Sequence, residues 1–187
     1  ADKVLVYDGA GLGGYAASGR YTDRGFTGSG NTKVDVFLRF DNDQDHGLGI
    51  PMPQGRVRVS QLDTADGSLE FIGEDTINHT PRGEEILIKL GQAFDVVGER
   101  TQTDFSVDSN RKTMTETIEV TLRNRKDEPV DVIVREAMYR WTNWEITGKT
   151  HEFEKQDSRT LHFPVTLAAN EKPGHEVKIR YTVRYTW

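Results

Sequence analysis

The most concentrated chemistry in this 187-residue chain lies in one acidic run, Asp41-Asn42-Asp43-Gln44-Asp45-His46-Gly47. Acidic side chains at alternate positions can turn their oxygens toward a single hard cation. Asp41, Asp43 and Asp45 are therefore the candidate metal ligands, and calcium is the candidate cofactor. The pattern departs from an EF-hand loop: the glycine falls one place late, and Met52 stands where the bidentate glutamate belongs. The competing reading is a solvated acidic turn between strands, with no cofactor.

A second motif, Gly9-Ala10-Gly11-Leu12-Gly13-Gly14, matches G-x-G-x-x-G and follows an apolar strand. A dinucleotide site needs the last glycine to open a helix, whose N-terminus holds the pyrophosphate. Residues 15–30 carry four more glycines and no amphipathic stripe, so a glycine loop is the expectation and a nucleotide is not. The five histidines, His46, His79, His151, His162 and His175, show no H-x-x-x-H spacing and no nearby nucleophile motif. Paired carboxylates such as Glu84-Glu85 and Asp127-Glu128 read as surface charge. No catalytic residue is assigned.

The densest aromatic cluster is Tyr139-Arg140-Trp141-Thr142-Asn143-Trp144. Indole rings in a loop can stack on sugars or meet a protein partner, so Trp141 and Trp144 are the candidate ligand-binding residues. Against that stands a core role for at least one of the two.

The elements that must position these groups are strands. In residues 111–136, Met114, Ile118, Val120 and Leu122 share one face, with Glu116 interrupting. Val130, Val132 and Val134 share another across a turn at 124–129. Period-2 alternation marks a strand with one buried face. It recurs at 34–40, 57–61, 69–77, 86–90, 96–105, 161–167 and 177–187, with a break expected at Gly98 and a module boundary near Gly91. No stretch shows a sustained apolar stripe of period 3.6, so helices should be short or absent. Many short strands with turn signals between them indicate an all-β, antiparallel β-sandwich. The reading divides the chain into an N-terminal strand with a glycine-rich arm (1–32), a smaller β module (33–90) and an immunoglobulin-like sandwich (91–187).

Composition narrows the partners. Hydrophobic residues make up 35% and charged residues 29%, with net charge −6 and a pI near 5.4. Nucleic acid is not expected, because the average field repels a phosphate backbone. Membrane insertion is not expected either, since no apolar run approaches the ~20 residues a spanning helix needs. Cysteine is absent, which removes disulfide and thiol chemistry.

Several blocks resemble a known family. They are Gly47-Leu48-Gly49-Ile50-Pro51-Met52-Pro53-Gln54-Gly55-Arg56-Val57-Arg58-Val59, then Gly73-Glu74-Asp75-Thr76-Ile77-Asn78-His79-Thr80-Pro81-Arg82-Gly83-Glu84-Glu85. Lys89-Leu90-Gly91-Gln92-Ala93-Phe94-Asp95-Val96, the hairpin from Ile118 to Glu136 and a final strand ending in an aromatic follow. Together they resemble the bacterial domain-of-unknown-function family 4139, the C-terminal part of mucoidy-inhibitor-A-like proteins, over about residues 33–187. The resemblance implies a mainly β fold, a missing N-terminal region and an exported protein that is periplasmic, cell-surface or secreted. It carries no agreed activity. In physical terms Pro51 and Pro53 fix an extended segment, and Phe94 is expected to anchor a core.

The expected function is a non-enzymatic binding or structural module. Its partner would be a protein or cell-envelope component, with self-association also open. A glycan-binding module using Trp141 and Trp144, or a metal-dependent hydrolase using the 41–45 loop and a histidine, are the alternatives.

Overall fold

The computed structural model describes residues 1–11, 19–26, 30–45 and 47–187. Among these, the all-β expectation holds: strands take up more than half, and no helix occurs. In chain order the strands are β1 (Asp2–Tyr7), β2 (Lys33–Asp41), β3 (Gly55–Leu62), β4 (Leu69–Ile77) and β5 (Glu85–Asp108). β6 (Thr113–Asn124), β7 (Val130–Ala137), β8 (Trp144–Lys149), β9 (Glu154–Lys155), β10 (Thr160–Leu167) and β11 (Glu176–Thr186) complete the set. The break expected at Gly98 does not occur, and β5 runs unbroken for 24 residues. Position 98 is a glycine because the Tyr7 ring lies against it: a Cβ there would come within 2.3 Å of that ring.

Contacts divide the chain into two compact units. Unit 1 is Ala1–Leu5 with Asp35–Ala93, and unit 2 is Val6–Val34 with Phe94–Trp187. β1, β2 and β5 each pass from one unit to the other, so the N-terminal segment is shared rather than set apart.

Nine strands form one mixed sheet in the order β8-β11-β6-β5-β2-β1-β7-β10-β9, and β3 and β4 form a separate two-stranded ribbon. In unit 2 the alternation read from the sequence is the inward face. Met114, Ile118, Val120 and Leu122 of β6, Val132 and Val134 of β7, and Ile179, Tyr181, Val183 and Tyr185 of β11 are all buried. β6 pairs with β11 antiparallel, Ile118 opposite Tyr181 and Val120 opposite Ile179. β7 pairs likewise with β10, Val134 opposite Phe163. β11 and β10 lie far apart in the strand order, yet the rings of Tyr181 and Phe163 stack with centroids 5.5 Å apart. Within unit 2 these inward faces therefore meet.

Unit 1 is built around Ile77, Ile86 and Ile88, with Leu38, Phe40, Met52, Val57, Val59 and Leu90 packed on them. Phe94 does not anchor a core: it is 95% exposed.

Candidate functional site

Two glutamates occupy inward positions among these apolar side chains. Glu116 follows Met114 on the buried face of β6, and Glu136 follows Val134 on the buried face of β7. A buried carboxylate costs free energy unless it is paired and hydrogen-bonded. Each one is. Arg100 Nε of β5 donates to Glu136 Oε1 at 3.1 Å and Oε2 at 3.0 Å, and the Tyr181 hydroxyl donates to Oε2 at 2.6 Å. Glu116 Oε1 accepts from Gln102 Nε2 at 2.8 Å, the Tyr139 hydroxyl at 2.7 Å and Arg140 Nη2 at 3.0 Å.

Both ion pairs are enclosed, with every partner side chain at most 3% exposed. Burial pushes the Glu136 carboxyl up, and Arg100 beside it pulls the other way. Burial alone would lower the Arg100 guanidinium, but Glu136 and the surrounding tyrosines and Glu116 outweigh it, so Arg100 stays charged. Burial raises the phenols of Tyr7, Tyr139, Tyr181 and Tyr185 above their usual range, reinforced by the neighbouring carboxylates. Two acids are thus matched by two guanidiniums within the core. Groups so enclosed tie β5, β6, β7 and β11 together. They present no face to a substrate.

The surface of unit 1 is different. In the β3–β4 ribbon, Leu62 pairs with Leu69 and Ser60 with Phe71. Directly opposed residues, and residues two apart on a strand, share a face. Leu62, Leu69 and Phe71 therefore lie together, and they are 57%, 71% and 63% exposed. The same face continues into charge: Arg58 Nε lies 3.1 Å and Arg56 Nη1 3.3 Å from the Glu74 carboxylate. On the other face Val57, Val59 and Ile77 pack in the unit 1 core. Gly73 admits the Leu90 backbone so closely that a Cβ would sit 2.9 Å from the Leu90 carbonyl oxygen. A register shift after Val59 leaves Ile72 without an opposite residue. This apolar end was not legible beforehand, because a lone ribbon's outward leucines alternate just as a core strand's do.

Among the described residues, no three acidic or histidine side chains converge in a way that could hold a metal ion. Asp41 and Asp45 are exposed and Asp43 is half-buried. The loop is organised instead by Asn42, the fully buried residue between the aspartates. Its Nδ2 donates to the Ile50 carbonyl at 2.8 Å and the Pro81 carbonyl at 2.9 Å, while its Oδ1 accepts from Gly49 N–H at 3.0 Å. His46, and residues 12–14 of the glycine motif, lie outside the described residues.

Trp141 and Trp144 are half-buried. Trp144 donates its indole N–H to the Ser158 carbonyl at 2.9 Å, and the Lys155 ammonium lies 4.8 Å from its ring centroid. One face of that ring is thus already taken by a cation. The first two blocks behind the family resemblance come together through a bridge between Met52 and Thr80 and the Gln54 N–H donated to His79 Nδ1. They line an open notch of about 400 Å³ formed by Pro51, Met52, Pro53, His79, Thr80 and Pro81.

No protein-family model matches the chain, and no curated protein is significantly similar to it. No helix among the described residues is long and apolar enough to cross a membrane.

Proposed function

We propose that this chain is a non-enzymatic binding module of an exported bacterial protein, belonging with the family it resembles. On this reading unit 2 is an immunoglobulin-like sandwich that serves as the rigid scaffold, and the contact surface is the outward face of the β3–β4 ribbon. One observation carries it: Leu62, Leu69 and Phe71 stand together in water beside the Arg56–Arg58–Glu74 cluster. An apolar patch rimmed by charge is the usual composition of a protein contact. The buried carboxylates, which would be the natural acid–base groups, are spent on the core. The partner is a protein or another component of the cell envelope, and the location periplasmic, surface or secreted.

The test is site-specific photo-cross-linking in the cell that makes the protein, with a cross-linking side chain at position 71 and, as control, at exposed Lys178 on β11. A discrete cross-linked product from position 71 alone is expected. No product from position 71, or the same products from both positions, would overturn the proposal.

A further inference from the structure

Unit 2 contains a second arrangement that the binding reading does not use. Arg140 is fully buried, although it lies in the connection after β7. Its Nη2 is held by Glu116, and its guanidinium carbon sits 4.4 Å from the Phe105 ring centroid. The remaining amino group, Nη1, turns to a different part of the chain. It donates to the Asp23 carbonyl at 2.7 Å and the Tyr21 carbonyl at 3.2 Å. The Tyr21 N–H returns a bond to the Arg140 carbonyl at 3.0 Å. Tyr21 stacks on Phe26 at 4.2 Å, Phe26 leans on Tyr139 at 5.7 Å, and Arg20 covers the Trp187 ring at 4.4 Å.

These contacts hold down a segment with little structure of its own. Residues 20–26 form no strand, and Arg20, Thr22, Asp23, Arg24 and Gly25 are exposed. They lie in a stretch with eight glycines between positions 9 and 30. Glycine favours the released chain entropically. Segments with few buried apolar contacts open at low free energy, well before the fold as a whole. Release would also return Arg140 Nη1 to water, which offsets part of the loss of its two carbonyl acceptors.

We propose that residues 20–26 are a detachable strap latched by Arg140, which opens while the core of unit 2 stays folded. Opening uncovers the Arg140 guanidinium and the Tyr139 ring, so the strap sets when this end of unit 2 can be reached from outside.

Native-state hydrogen exchange tests this on the intact protein. The Tyr21 amide should exchange at least a hundredfold faster than the amides of Ile118 and Val120 in β6. Phe26→Ala should speed Tyr21 exchange by a further tenfold or more and leave β6 unchanged. Trypsin should cut the native protein after Arg24, and faster in Phe26→Ala, with the rest of unit 2 intact. Arg140→Lys is a harsher second variant, read only if its β6 amides keep their protection. Exchange of Tyr21 at the β6 rate, or a Phe26→Ala effect spread equally over Tyr21 and β6, would show that the strap is an integral part of the core and overturn the proposal.

Discussion

Glu136 stands where another valine would continue the β7 face, and its carboxylate survives there only because Arg100 and Tyr181 meet it. Removing one partner of a buried pair leaves the other charged and unmatched. Glu136→Gln should therefore cost about 3–5 kcal/mol in equilibrium denaturation. A loss under ~1 kcal/mol would show that the pair is hydrated rather than enclosed. The tyrosines of β11 give a sharper contrast. Tyr181→Phe removes a donor from a buried carboxylate and should cost about 1–3 kcal/mol. The Tyr185 hydroxyl is buried without an acceptor among the described residues, so Tyr185→Phe should be near neutral or stabilising. Equal losses from both would contradict the assigned bonds. The sequence displayed half of this site. Glu116 visibly interrupts an apolar face, and Glu136 falls in phase with Val130, Val132 and Val134. Their partners Arg100 and Arg140 come from segments whose spacing bears no relation to either strand, so pairing was legible only in three dimensions.

At the scale of elements, alternation served well wherever one face meets a core. Ile179 on the longest regular run is fully buried, and Ile179→Ala should cost about 2–5 kcal/mol. Alternation misled where a strand meets no core on its outward side. Leu69 and Phe71 carry the same pattern as Ile179, yet they face solvent on the ribbon. Leu69→Ser combined with Phe71→Ser should leave unfolding within about 0.5 kcal/mol of the parent. A larger loss would mean that the face is packing surface, not contact surface. Phe94 failed for a related reason, since an apolar type in the middle of β5 does not say which face of the strand it points from. The 41–45 loop was read by its aspartates, while the buried Asn42 between them does the organising. Calcium in the millimolar range should accordingly raise the melting temperature little or not at all. A clear rise, abolished by Asp43→Asn with Asp45→Asn, would establish the metal reading.

For the whole molecule, two enclosed ion pairs lie inside unit 2, and an apolar face stands outside on the β3–β4 ribbon. The interior half of that statement has a pH signature. Folding holds the phenols of Tyr7, Tyr139, Tyr181 and Tyr185 protonated above their ordinary value of 10.0, chiefly by burial. Above about pH 10 the unfolded chain releases protons that the folded chain keeps, so stability is fully present below that pH and falls as pH rises beyond it. Tyrosinate absorbance from these residues should appear together with unfolding rather than before it.

For the exterior half, the proposal that the ribbon's apolar face meets a partner is tested most directly by hydroxyl-radical labelling of Phe71. The modification should be compared between the purified protein at low concentration and the protein in the cell that makes it, with the exposed Phe94 as an internal reference. Strong labelling of Phe71 when purified and marked protection in the cell is the predicted result. Equal labelling of Phe71 in both settings would contradict the account.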